Sequence, residues 1–124
     1  MIVKNPQDKA EYRFYFNYLR KITRADGKTI VLSGKDAFKF DPHTESVCLL
    51  GDSFETICEI KQGDNVINKA VVKKHPKDKI DKQAARKFAL ARAVKIFPRG
   101  EFRSLVWKTY FEAHRDGLKI RDKV

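Results

Sequence analysis

The sequence predicts an α+β domain: an N-terminal helix, an antiparallel sheet of three to five strands, and a C-terminal helical hairpin. Three observations predict it. Between residues 28 and 73 the apolar residues come in short runs separated by Gly-, Asp- and Asn-bearing turns, which is how strands and hairpins read. From residue 80 to 113 they recur at spacings of three and four among good helix formers. The chain is 124 residues long with no Pro/Gly/Ser-rich linker or internal repeat, so a single domain covering 1–124 is expected.

The N-terminal element spans residues 7–22. It opens with the polar Gln7-Asp8-Lys9-Ala10-Glu11 and runs on through Tyr12 to Leu19. Tyr12, Tyr15, Phe16 and Leu19 fall at helical spacing, whereas Tyr12, Phe14, Phe16 and Tyr18 alternate as in a strand. Its length and polar start select the helix.

The sheet follows. Thr29-Ile30-Val31-Leu32, Ala37-Phe38-Lys39-Phe40 and Ser46-Val47-Cys48-Leu49-Leu50 are short strand-like runs. Phe54, Thr56, Cys58 and Ile60 alternate with Glu55, Ile57, Glu59 and Lys61. The turn Gln62-Gly63-Asp64-Asn65 reverses the chain into a return strand from Val66 to Lys73.

Two helices close the chain. Pro76 precedes the first, and Asp78 is placed to cap it, its carboxylate accepting unpaired backbone N–H groups. Ile80, Ala84, Phe88, Ala91 and Val94 share one face, with Leu90 at its edge. Phe97-Pro98-Arg99-Gly100 breaks this helix and Glu101 opens the next, where a negative charge suits the helix N-terminus. Phe102, Leu105, Val106, Thr109, Tyr110 and Ala113 form an inner stripe. Gly117 is a stop signal, and residues 118–124 read as a basic tail.

Charge is unevenly distributed. Residues 1–68 carry ten Lys/Arg and ten Asp/Glu, while residues 69–124 carry seventeen and six, so the whole formal excess of +11 lies in the second half. Such asymmetry points to a polyanionic partner. Cys48 and Cys58 sit in strand-like apolar runs of a chain that shows no secretory pattern after Met1, so two unbridged, buried thiols in a cytoplasmic protein are expected. No apolar run approaches the roughly 18 residues that span a membrane, and no membrane partner is expected.

No catalytic constellation is visible, and no cofactor or metal is expected. His43, His75 and His114 are far apart and none stands at ligand spacing from a Cys or another His. There is no phosphate-cradling Gly-rich loop and no nucleophile elbow. Glu55, Glu59 and Asp64 are loose carboxylates without a paired acid and base. Non-enzymatic binding is the expected activity.

Three features can carry binding. Lys69, Lys73, Lys74, His75, Lys77, Lys79 and Lys82 pass from the last strand into the first C-terminal helix, which would line cations along one surface for phosphates. Lys82, Arg86 and Arg92 are expected to project from the helix away from Phe88, with Arg99 and Arg103 opening the second helix, whose N-terminal N–H groups also suit a phosphate. The aromatic block from Tyr12 to Tyr18 is flanked by Arg13, Arg20 and Lys21, as base-stacking sites are, although core packing explains it as well. The expected partner-binding set is Lys73, Lys74, Lys77, Lys82, Arg86, Arg92, Arg99 and Arg103, facing DNA, RNA, or an acidic or nucleic-acid-binding surface of a protein complex.

His75-Pro76-Lys77-Asp78-Lys79-Ile80-Asp81-Lys82, followed by Ala85-Arg86-Lys87-Phe88-Ala89-Leu90-Ala91-Arg92-Ala93, lies within residues 75–93. It resembles uncharacterised small bacteriophage accessory proteins that join a β-hairpin to an H-P-x-D turn and a helix ending in A-L-x-R-A. The resemblance implies a host-takeover protein, anti-CRISPR inhibitors among the possibilities, acting in the host cytoplasm by stoichiometric occlusion of a host protein or ribonucleoprotein.

Overall fold

The computed structural model describes residues 1–39, 49–75 and 80–114. Its elements are β1 (Ile2–Lys4), β2 (Glu11–Arg24), β3 (Thr29–Ser33), α1 (Asp36–Lys39), β4 (Leu49–Gln62), β5 (Asn65–Lys73), α2 (Lys82–Ala93) with a 3-10 turn at Val94–Ile96, and α3 (Glu101–Ala113). All strand pairs are antiparallel, in the order β1-β2-β4-β5, and β3 shares with β1 the free edge of β2. The fold is α+β, and no helix of the described residues is long and apolar enough to cross a membrane.

The N-terminal helix expected over residues 7–22 is strand β2. The two-residue period decides it: Tyr12, Phe14, Tyr18, Arg20 and Ile22 are all buried, Phe16 packs with them, and the odd-numbered residues face the other side. A helix would scatter these side chains around its circumference, whereas a strand lines them up. The polar start that suggested a helix is instead the turn from β1. Asn5 Oδ1 accepts from Gln7 N at 3.0 Å, and Asp8 Oδ1 accepts from Ala10 N at 2.9 Å. Tyr12 Oη donates to Asp8 Oδ2 at 3.2 Å.

Two further elements differ from expectation. Ala37, Phe38 and Lys39, read as part of a strand-like run ending at residue 40, belong to the short helix α1, which begins two residues after Gly34, whose φ of 58° turns the chain. Residue 40 and the run Ser46-Val47-Cys48 lie outside the described residues. The β4–β5 hairpin forms at the expected place, with Gln62 opposite Asn65 and Gly63 at φ 62° in the first central position of the turn.

Among the described residues, the helices cover one sheet face. On it, Phe14 stands opposite Ile60 and Phe16 opposite Cys58. Leu90, Ala93 and Val94 join Phe102, Val106 and Tyr110 over these residues in the main core. Tyr12, Phe97 and Phe102 form an aromatic triangle with centroids 4.7–5.3 Å apart. A smaller core gathers Tyr18, Ala37, Phe38 and Phe54 under α1. The nearest backbone neighbours of α2 are β4 and β5, and α3 lies beside β1. The expected self-contained helical hairpin is therefore two helices laid on a sheet.

The helix phase also differs. In α2 the buried residues are Arg86, Ala89, Leu90 and Ala93, while Phe88 is 63% exposed. Alanines at 89 and 93 let the helix backbone approach the strands closely, and Leu90 fills the remaining space. Leu90→Ala should therefore cost about 2–5 kcal/mol in urea melts, and Phe88→Ala within about 0.5 kcal/mol, as surface changes do. The reverse order would restore the phase expected from the sequence.

Cys58 is a free, fully buried thiol, and Cys48 lies outside the described residues. Burial pushes the Cys58 thiol up to about 12, since desolvation disfavours the thiolate. Native protein at pH 8 should present Cys58 to a thiol reagent roughly a hundredfold more slowly than unfolded protein. Equal rates in both states would show an open core.

Candidate functional site

Helix α2 begins at an Asp cap, but the cap is Asp81. Its Oδ1 accepts from Ala84 N at 3.1 Å, with the extended backbone that capping residues adopt. The expected cap, Asp78, is outside the described residues. At its far end α2 is tied to β5, the last strand of the sheet. Asn68 Nδ2 donates to the Ala93 carbonyl at 2.8 Å, and Arg92 donates to the Val71 carbonyl at 3.1 Å.

Between these ties and the helix start lies a cleft of about 450 Å3. Phe54, Thr56 and Val72 line it from the sheet, and Ile80, Ala84 and Phe88 from the helix side. Lys73, Lys74, His75 and Arg92 supply its basic groups. The helix phase creates this cleft: with Leu90 and the alanines turned inward, Phe88 and Ile80 are left 63% and 38% exposed beside the end of β5.

The structure brings together part of the expected binding set. Lys74 and Arg92 line the cleft; Lys73 borders it at the end of β5, but opposite Glu55 it alternates with the inward Val72 and its side chain belongs to the open face. Lys82 is exposed on the first turn of α2, with Nζ 5.2 Å from the Phe38 ring centroid and 5.5 Å from that of Tyr18. Those rings pack with Phe54, a cleft residue. Lys77 lies outside the described residues. Arg99 is exposed in the connection before α3, and Arg103 is half-buried, donating to the Lys95 carbonyl at 3.3 Å. Both come after α2 and do not line the cleft.

Arg86 is a correction. It was expected to project into solvent, yet it is 4% exposed and its Nε donates to Tyr110 Oη at 3.3 Å across the two helices. The cause is again the phase of α2, which turns position 86 toward the sheet with 89, 90 and 93.

The aromatic block of β2 splits by face. Tyr12, Phe14, Phe16 and Tyr18 belong to the cores, and Tyr15 stands on the open face with Lys61 Nζ 5.5 Å from its ring centroid. On that open face the cations alternate with carboxylates. Lys61 pairs with Glu59 at 3.6 Å, and Arg13 approaches Glu11 at 3.9 Å. Arg20 with Asp52 and Lys39 with Asp36 are ion pairs of the same half of the chain. No group of three His, Cys, Asp or Glu among the described residues is placed to hold a metal ion.

Phe88 and Ile80 were missed as surface residues. The signal was present: an inward Ala89, Leu90 and Ala93 is an equally good apolar stripe. It requires burying Arg86, and that made the alternative phase look worse on the page than it is in the fold. Comparison with protein-family models, with curated proteins and with solved structures found no match to the chain.

Arg86→Ala should cost about 1–3 kcal/mol, because it leaves the buried Tyr110 hydroxyl without that donor, and should leave partner binding unchanged in the folded fraction. Denaturant melts paired with a binding titration check this. Weakened binding at full stability would return Arg86 to the interface.

Proposed function

We propose that this chain is a non-enzymatic binding protein whose basic C-terminal half engages a polyanionic partner, most simply DNA or RNA. The observation that carries the reading is the cleft between β5 and α2, where Lys74 and Arg92 converge, Lys73 borders the rim and Lys82 stands close by. Cations held on a strand end and a helix are fixed in space, which is what contact with successive phosphates requires. Their uneven partner supports it too: the carboxylates that balance the first half are scarce in the second.

A second reading follows from the apolar part of the same cleft. Ile80 and Phe88 are surface that a contact with phosphates alone would leave in water. That favours the inhibitor implied by the bacteriophage resemblance, docking in the host cytoplasm on a host protein or ribonucleoprotein. The two separate on nuclease treatment: a nucleic-acid binder loses its captured material, and an inhibitor of a protein keeps it.

The primary test is binding across salt. Each phosphate neutralised on a single strand contributes about −0.7 to the log–log slope, and about −0.9 on duplex. Four to six contacts then lose roughly fiftyfold to two-thousandfold in affinity between about 50 and 200 mM salt. Lys73→Glu with Lys74→Glu should flatten the slope and weaken binding at low salt while the melting curve stays in place. Unchanged affinity of this double variant at every salt concentration would reduce the basic cleft to a solvated surface.

A further inference from the structure

Taking the polyanion reading as its basis, we infer that the partner is single-stranded nucleic acid, and that one unpaired base enters the cleft against Phe88 while the flanking phosphates lie on Lys74 and Arg92. The cleft combines two things that a charged surface alone does not need. It offers fixed cations, and it offers an apolar slot containing a ring that is 63% exposed. A polymer with one negative charge and one flat ring per repeat matches both at once. Duplex matches the cations alone, because its bases are stacked and paired away from the protein.

The dimensions and chemistry agree. At about 450 Å3 the cleft falls within the roughly 300–1,000 Å3 that small-molecule sites occupy. Its walls are aliphatic and aromatic, from Val72, Ile80, Ala84 and Phe88. Stacking on an aromatic side chain is tolerant of base identity because every base has a π-face. Arg92 is exposed and uses one N–H on the Val71 carbonyl, which orients a guanidinium that has five donors in all. Lys74 continues β5, its N–H donating to the Phe54 carbonyl at 2.9 Å, and lines the cleft. Rings also meet cations at Tyr15 with Lys61 and at Phe111 with Lys87, but on the open face Glu59 and Glu11 sit among the cations and would repel a phosphate backbone, whereas the carboxylate of the cleft, Asp81, is taken up in capping α2.

The test is fluorescence anisotropy with four probes: an oligothymidylate of about 12 nucleotides, within the roughly 4–16 that such sites span, a duplex of the same length, an abasic strand of the same length, and an acidic peptide bearing Leu and Phe. Wild type should bind the oligothymidylate about tenfold or more tighter than the abasic strand or the duplex. Phe88→Ala should lose about tenfold on the oligothymidylate and almost nothing on the abasic strand. Phe88→Trp should restore the affinity, and Phe88→Leu should not. Position 88 is exposed, so these variants keep the fold, and their melting curves verify it. Equal binding of abasic and base-bearing strands, or an oligothymidylate affinity indifferent to Phe88→Ala, overturns the base slot while leaving the polyanion reading intact. The acidic peptide binding more tightly than any strand assigns the cleft to a protein. Absence of salt-dependent binding to every nucleic acid overturns the polyanion reading and the base slot together.

Discussion

The fold depends on the two-residue period of one strand. β2 is fourteen residues long and pairs with β4 along one edge and with β1 and β3 along the other. Its even-numbered residues from Tyr12 to Ile22 lie on one face, and both cores form over them. Within that stripe Arg20 is a charge in an otherwise apolar row. Burying a guanidinium costs several kcal/mol unless its donors are met. Here Nε and one terminal nitrogen bind Asp52 at 2.8 and 2.7 Å, and the other terminal nitrogen donates to the Ala37 carbonyl at 3.1 Å. The fork geometry of Arg suits such a carboxylate, which a Lys would meet at one point only. One side chain thereby joins two central strands and holds α1 against the sheet.

Much of this was legible in the residues. The hairpin at Gln62 to Asn65 and the break at Phe97 to Gly100 are punctuated by Gly and Pro, and local turn chemistry decides such positions. The two C-terminal helices follow from their spacing. β2 was harder, because Tyr12, Tyr15, Phe16 and Leu19 mimic a helical face. What separates the two readings is whether Arg20 can be buried, and its partner Asp52 lies 32 residues away. The phase of α2 failed for a related reason. Phe88 is the bulkiest side chain on that helix, so an isolated helix would be expected to bury it. The sheet instead selects Ala89 and Ala93, which let backbones approach, and tolerates Arg86 because Tyr110 accepts from it.

The candidate site was half legible. Charge asymmetry located it in the second half, and the run from Lys73 to Lys82 located it near the start of α2. Sequence position could not tell which basic groups would share a surface. Arg86 and Arg92 are six apart and end on opposite sides of the helix, one in the core and one at the cleft. The apolar character of the cleft arises from tertiary packing and has no local signature.

β5 ends the sheet, and an end strand presents unpaired backbone groups to solvent. Lys69 and Lys73 stand along it, and Arg92 occupies the Val71 carbonyl from the side. Lysines on such an edge repel an approaching second copy of the same strand. The charges at the cleft therefore also keep the protein from pairing with itself. Salt screens that repulsion, so the protection of this edge weakens as ionic strength rises.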